Sequence, residues 1–386
     1  MKTKDFKKKS LLIISQYFYP EEFGINNLAE KFSKKGYEVK ILTQSPSYPY
    51  DKIYDGYKND LFQKSNYKNI KVYTVKNILG NNRGFFRKAF SYIVFSILSS
   101  IFLFKCIGNT KHVFVYQVGP LTQIIPALFS KLIYNTKIFL WVLDLWPQTV
   151  YSYGLKKTKF NKFFLDIFCK ISYSFCDKIF VSNEGFIQRI SEYGFNKKEI
   201  LFCPQWIPNE INFSNNNSKK FKSKKMNFTF AGNIGKVQNL EIIIKSFSKF
   251  SDLVNLNILG DGSNLKNLKN LVKKNKYKNI IFHGRKPLNK ISEWLISSDI
   301  LIISLIDKDA FNLTVPAKFQ AILGAKKPIF SIMNGETSRL VAKYNLGICA
   351  NPNSIEDIKK NIKKFISLDD KQLISFSKKS DFLINK

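Results

Sequence analysis

The chain has 386 residues, of which 62 are Lys or Arg against 28 Asp or Glu, giving a formal net charge of +34, and 45% are hydrophobic. That length exceeds one ordinary core and predicts two domains, while the apolar content excludes a disordered chain. Five cysteines, an odd number without a Cys-x-x-Cys pair, argue against a disulfide framework or a zinc site and suit a reducing compartment.

The charge predicts attraction to polyanions: nucleic acid, an anionic membrane face, or phosphorylated substrates. Only Arg83, Arg87, Arg189, Arg285 and Arg339 among the basic residues are arginine, and Lys, Asn, Ile and Phe are abundant. That usage is expected of an AT-rich genome, so part of the charge reflects codon usage. Met1 to Lys9 is basic, but the apolar run after it is short and lacks a small-residue cleavage site, so no secretory leader is expected.

Leu11 to Ser15 reads as a strand running into the loop Gln16 to Gly24, then a helix from Asn26 to Lys35 with Gly36 as its C-cap. Glu38 to Thr43 is the next strand. The β-α-β order with short connections predicts a parallel sheet with right-handed crossovers, whose ligands sit at the carboxyl ends of the strands. Ile70 to Val75 is a strand, followed by Arg83, Arg87 and Lys88 at the start of an apolar helix from Ala89 to Gly108. That helix approaches the ~20 residues needed to span a bilayer, but Ser91, Ser96, Ser99 and Ser100 interrupt it. It fits a helix buried on the sheet or one lying in a membrane interface better than a span. His112 to Gln117 and Lys137 to Leu143 are strands, the second ending at Asp144-Leu145-Trp146-Pro147-Gln148. Asp144 thus stands where catalytic groups of such folds sit, or serves as a capping aspartate. Lys178 to Ser182 and Ile200 to Pro208 complete the first domain, 1–208.

Residues 209–225 are rich in Asn, Ser and Lys and read as a linker. The second domain, 226–366, restarts the alternation, and 367–386 read as a helical tail. Its first strand, Met226 to Ala231, ends in Gly232-Asn233-Ile234-Gly235-Lys236, after which Val237, Leu240, Ile243, Ile244 and Phe247 mark one helical face. Strand, glycine turn and helix aim backbone N–H groups at an anion, so the turn reads as a phosphate cradle, or as an ordinary βα loop. Further strands are Leu256 to Leu259 before Gly260-Asp261-Gly262, Asn279 to Phe282 before Arg285, Ile300 to Leu305, Pro328 to Ile332 and Gly347 to Ala350. Two doubly wound domains predict a cleft that suits a ligand.

Several of these stretches together resemble one family over nearly the whole chain: glycosyltransferases of the GT-B fold, family 4 type, in the branch of the WbuB-type L-fucosamine transferases of O-antigen assembly. The residues that carry the resemblance are Ser15 to Glu21 with Gly24, Asp144 to Gln148, Gly232 to Gly235 with Gln238 to Glu241, Gly260 to Gly262, Val315-Pro316-Ala317-Lys318, and Lys327-Pro328. It implies an α/β GT-B architecture of two Rossmann-like domains facing a cleft. The C-terminal domain would bind a nucleotide sugar, UDP-linked, and the N-terminal domain the acceptor, with retention of configuration and no metal cofactor. Gly232, Asn233, Gly235, Gly260, Asp261, Gly262, Arg285 and Gln320 would bind the donor. Lys236 and Lys318 would meet the diphosphate, whose developing charge is where preorganised donors act most strongly. Gly24, Trp146 and Gln148 would line the acceptor site, Trp146 reading equally as a core tryptophan, with Asp144 as a polar contact or base at the acceptor hydroxyl. The implied partners are a polyprenyl-diphosphate-linked acceptor and an anionic membrane surface, on the cytoplasmic, inner face of the plasma membrane.

The chain departs from the family where a glutamate usually meets the donor ribose: Ala321 stands there, next to Gln320, and Lys326 replaces the usual glycine before Lys327-Pro328. A GT-B epimerase or a non-catalytic relative is therefore the alternative. Nucleic-acid binding, suggested by charge alone, lacks any recognisable readout module. Asp307-Lys308-Asp309 matches an Asp-x-Asp metal motif in the wrong architecture and reads as coincidence, and His112 and His283 read as structural.

Overall fold

A computed structural model describes residues 9–80, 84–213, 221, 224–378 and 380. The chain divides into two compact units, Met1–Pro204 and Gln205–Lys386. Arg83 and most of the 209–225 segment lie outside the described residues, as does the end of the tail beyond its helix Asp370–Ser377.

The first unit is an eight-stranded sheet: β1 (Ser10–Ile14), β2 (Glu38–Gln44), β3 (Phe62–Tyr67), β4 (Ile70–Val75), β5 (His112–Gln117), β6 (Lys137–Val142), β7 (Lys178–Val181) and β8 (Ile200–Phe202), in the order β3-β4-β2-β1-β5-β6-β7-β8. All neighbours are parallel except β3, which pairs antiparallel with β4. Continuous apolar runs build the central strands: Leu12, Ile13 and Ile14 are fully buried, with Ile13 opposite Ile41 on β2 and Phe114 on β5. Burial on both faces is what covering helices impose on a parallel sheet. The strand β3 was not foreseen. Its Phe-Gln-Lys-Ser-Asn-Tyr sequence is polar because it is a partly exposed edge, so it carries no apolar signal.

The second unit repeats the plan with six parallel strands: β9 (Met226–Ala231), β10 (Val254–Leu259), β11 (Ile280–Gly284), β12 (Ile300–Ser304), β13 (Ile329–Ile332) and β14 (Gly347–Ala350), ordered β11-β10-β9-β12-β13-β14. Alternate residues feed two cores. Ile300 and Ile302 face Phe228, Phe230 and Phe247, whereas Leu301 and Ile303 face Phe319, Ile322 and Met333. Full burial of one such side chain contributes roughly 1.5–3 kcal/mol. Ile207, Ile211 and Phe213 pack into this second core, so the chain beyond Pro204 belongs to the second unit. In both units the strand order reverses beside the first strand, between β1 and β5 and between β9 and β12, and such a switch point is where open α/β sheets bind ligands, at the carboxyl ends.

The long apolar helix differs from expectation. It begins at Phe85, ends at Ile101, and a second short helix covers Leu103–Ile107. The serines expected to interrupt it point inward: Ser91, Ser96 and Ser99 are buried, and Ser96 Oγ donates to the carbonyl of Thr122 at 2.8 Å. Phe86, Phe90, Ile93, Ile97 and Ile101 are exposed instead. No helix among the described residues is long and apolar enough to cross a membrane.

Candidate functional site

In the second unit the glycine turn after β9 is shaped by its neighbours. Gly232 N–H donates to Leu259 O at 3.0 Å, Ile234 N–H to Asp261 O at 2.8 Å, and Gly260 N–H to Gly284 O at 3.0 Å. The carboxyl ends of β9, β10 and β11 are thereby laced backbone to backbone. Gly260 (φ +138°) has no room for a side chain, since a Cβ would stand 1.8 Å from the Gly232 carbonyl oxygen. At Gly262 a Cβ would meet Asn233 Oδ1 and Ile234 O at 2.6 Å. Both glycines therefore serve loop-on-loop packing.

The turn does not open directly into a helix. A 3₁₀ turn, Lys236–Gln238, and a left-handed Asn239 come first, and the helix is Leu240–Phe247. Gly235 N–H is occupied by Gln238 Oε1 at 2.9 Å. Among the described residues, neither the Asn233 N–H nor the Lys236 N–H has an acceptor, and both residues are exposed. Lys236 is exposed at the start of the 3₁₀ turn.

Lys318 opens the helix Lys318–Gly324 and reaches under this turn. A Cβ on Gly232 would touch its Cδ at 3.5 Å and its Nζ at 3.8 Å, and the Nζ lies 3.8 Å from the centroid of the Phe230 ring. The residue is only partly buried as a whole, but its amine sits among apolar neighbours. Burial draws its pKa down to about 7, and among the described residues no carboxylate offsets that cost. Arg285 is exposed just past the carboxyl end of β11. Gln320 is half-buried, and Ala321 beside it is buried in the apolar core. Asp261 is exposed, and its carboxylate accepts from the next residue's N–H, Gly262, at 2.7 Å. Asp307 is committed to structure: its oxygens accept from Asn312 at 2.7 Å and Asn353 at 3.3 Å. His283 bonds Asn257 at 2.8 Å and packs on Trp294, with burial lowering its pKa.

In the first unit, Asp144 and Trp146 converge on Gly119 (φ +86°) in the loop after β5. Gly119 N–H donates to Asp144 Oδ2 at 2.5 Å, and Trp146 Nε1 donates to Gly119 O at 3.1 Å. Burial raises the Asp144 carboxyl above its ordinary value, opposed by the Gly119 N–H and the Lys88 ammonium. Lys88 lies 5.8 Å from the Tyr92 ring and 5.4 Å from the Tyr153 ring. Burial raises the pKa of both phenols, and the Asp144 charge adds to it. Gln148 Oε1 is buried without a partner, an acceptor left open beside this cluster's polypeptide segment. Gly24 opens the helix Gly24–Lys34 and is half-buried.

Glu21 is the other withdrawn carboxyl. It is 1% exposed and takes N–H bonds from Ser47 at 2.8 Å, Tyr48 at 2.7 Å and Phe18 at 3.3 Å, while burial lifts its pKa to about 7. Sequence reading quoted Glu21 within a motif without giving it a role. It missed Tyr92 and Tyr153, and it treated Lys88 only as a surface charge. A carboxylate in the middle of the aromatic run from Tyr17 to Phe23 was the one available signal.

Residues 212–380 match the family model described as Glycosyl transferases group 1. Comparison with curated protein sequences finds no match. Among solved structures, the chain is similar to WaaG, a glycosyltransferase involved in lipopolysaccharide biosynthesis, at 13% identity and TM-score 0.69, covering 98% of this chain and 95% of that one. It is similar to sucrose-phosphate synthase from Thermosynechococcus elongatus, at 10% identity and TM-score 0.72, with 98% and 94% covered. Anabaena HepE, solved in complex with UDP and glucose, aligns at 9% identity and TM-score 0.69, with 98% and 95% covered. That family match lies in the second unit, and the two α/β units have the GT-B fold of these solved structures.

Proposed function

We propose that the protein is a retaining glycosyltransferase of the family 4 type. It would move a sugar, a HexNAc or deoxyHexNAc, from a UDP-linked donor to a polyprenyl-diphosphate-linked saccharide in cell-surface glycan synthesis, at the inner face of the plasma membrane. The observation that carries this reading is Lys318, an amine with no carboxylate partner held against Gly232 and Phe230 at the reversal point of the second sheet. A diphosphate at that edge would restore the ammonium by direct Coulomb attraction, and the Asn233 N–H would add a backbone donor. As the sugar leaves, charge builds on the diphosphate, and fixed donors aimed there lower the barrier without reorganisation. Under this reading the two donors and Arg285 meet that charge, and no metal is needed. In the first unit Asp144, held by Gly119, would accept the proton of the acceptor hydroxyl. The unpartnered Gln148 Oε1 would take a second hydroxyl of the acceptor sugar.

Thermal shift against UDP, GDP, CMP and ADP tests the donor site, because a ligand bound only by the folded state raises its stability. The expected result is a rise with UDP that is lost in Lys318→Ala. A protein unmoved by every nucleotide would refute the reading. The buried Ala321, in place of a ribose-binding glutamate, favours one second reading: a relative that binds UDP-sugar without transferring it. UDP-sugar epimerised or left intact in the presence of acceptor would identify it.

A further inference from the structure

Three helices of the first unit carry apolar stripes on their outer faces. On Phe85–Ile101 the buried positions include Ser91, Ser96 and Ser99, while Phe86, at 85% exposure, Phe90, Ile93, Ile97 and Ile101 form the outer stripe. On Ile125–Tyr134 the inner face is Pro126, Ala127 and Ser130, whose hydroxyl bonds Thr136, and the outer face is Phe129, Leu132 and Ile133. On Lys159–Ser174 the inner residues are Cys169, Ser172 and Tyr173, and the outer ones are Phe160, Phe163, Phe164, Ile167 and Ile171. The three are neighbours: the first packs against the second and against the 3₁₀ turn Leu121–Ile124, which the third also touches. A soluble surface helix places its polar residues outward. Contiguous exposed apolar patches of this kind mark interaction surfaces.

We propose that these outward faces together form a seat for a lipid bilayer with anionic headgroups. The charge on the helices selects that occupant. Arg87, Lys159, Lys162 and Lys170 are exposed on them, Lys88 serves the Asp144 cluster, Lys131 is paired with Asp177, and their one carboxylate, Asp166, is already held by Lys162 and Tyr193. Lysines rimming an apolar stripe snorkel to headgroups while the stripe enters the acyl boundary. A second copy of this chain would bring its own charge of +34 against the same face, which opposes self-association. The seat deepens the membrane placement proposed above and rests on that reading only for its biological setting. The donor site lies in the other unit, so vesicle binding and UDP binding can fail separately.

Flotation with vesicles tests the seat. One set is phosphatidylcholine alone and the other contains about one third phosphatidylglycerol. The full chain is expected to float with the anionic vesicles at least roughly tenfold more tightly than with the neutral ones, and to weaken as salt rises. The triple variant Phe160→Ser, Phe163→Ser, Phe164→Ser should lose roughly tenfold or more of that binding and keep its UDP thermal shift. Should the triple variant misfold, the single variant Phe164→Trp supplies an independent reading: the fluorescence of the introduced indole should shift blue on anionic vesicles and be quenched by brominated acyl chains. Vesicle binding unchanged in the triple variant, or indole fluorescence that brominated chains leave unquenched in Phe164→Trp, overturns the proposal. So does a dimer, seen by sedimentation, that dissociates in the triple variant while vesicles remain unbound.

Discussion

At the carboxyl edge of the first sheet stand two withdrawn carboxyls, Glu21 and Asp144; at the same edge of the second sheet stands one withdrawn ammonium, Lys318. Both edges are made by the same strand order, reversing beside the first strand of the unit. The helix layers differ as well. Among the described residues of the second unit, only Leu253, Ile281 and Ile374 are large exposed hydrophobics, whereas whole helical stripes of the first unit are. The difference teaches that strand order positions a site and leaves its chemistry to the few side chains at the strand ends. An ammonium without a counter-ion suits an anionic ligand, and a carboxyl of raised pKa suits a hydroxyl that must lose a proton.

The largest effect expected from breaking this comparison is on turnover. Asp144→Asn should lower sugar transfer by roughly 10²–10⁴-fold, the usual loss of a positioned base, and leave the UDP thermal shift intact. The reverse pattern, lost UDP binding with transfer unchanged, would contradict the division of labour. Next comes Gly260→Ala. Its Cβ would collide with the Gly232 backbone, which cannot step aside without breaking the β9–β10 lacing. A loss of about 3 kcal/mol or more in chemical denaturation is expected, accompanied by loss of UDP binding. Gly36→Ala, also at positive φ but in open space, is the control and should cost about 1 kcal/mol.

Glu21→Gln should cost about 2 kcal/mol, because an amide cannot satisfy three converging N–H donors. The pH dependence has a definite sign. The folded pKa, about 7, lies above the unfolded value near 4.5, so the folded state holds this proton more tightly. The contribution is full below about pH 4.5 and is lost as pH rises through 7. Melting temperatures at pH 5 and pH 7.5 should diverge more in the wild type than in Glu21→Gln. Lys318 has the opposite slope. Its folded pKa near 7 lies below the ordinary 10.5, so its share of stability rises with pH between those values. The smallest effect is that of Gln148→Ala, which removes one acceptor and should raise the acceptor KM by a few-fold, about 1 kcal/mol, with the fold unchanged.

Much of this was legible in the sequence. The parallel α/β plan, both runs of strands and the glycine turn after Ala231 follow from short apolar runs separated by helical periods. The edge strand β3 was not legible, because a polar edge has no pattern to read. Gly260 and Gly262 could be marked as special residues, but their reason, one loop lying on another, is a long-range contact that spacing cannot encode. The helix Phe85–Ile101 shows the same limit. Its two stripes are visible in the sequence, yet only the packing against Thr122 reveals that the serines face inward. Lys318 was picked from its place in a motif, and the depth of its amine came only from the fold.

The most direct test of the central claim is calorimetric titration of UDP at pH 7.5 and pH 8.5, where the nucleotide's own phosphate stays ionised. Repeating it in buffers of different ionisation enthalpy counts the protons taken up on binding. If UDP restores the Lys318 ammonium, binding takes up close to one proton at pH 8.5 and weakens by up to about tenfold per pH unit, and Lys318→Met abolishes both. UDP binding that takes up no proton and is indifferent to pH would contradict the account.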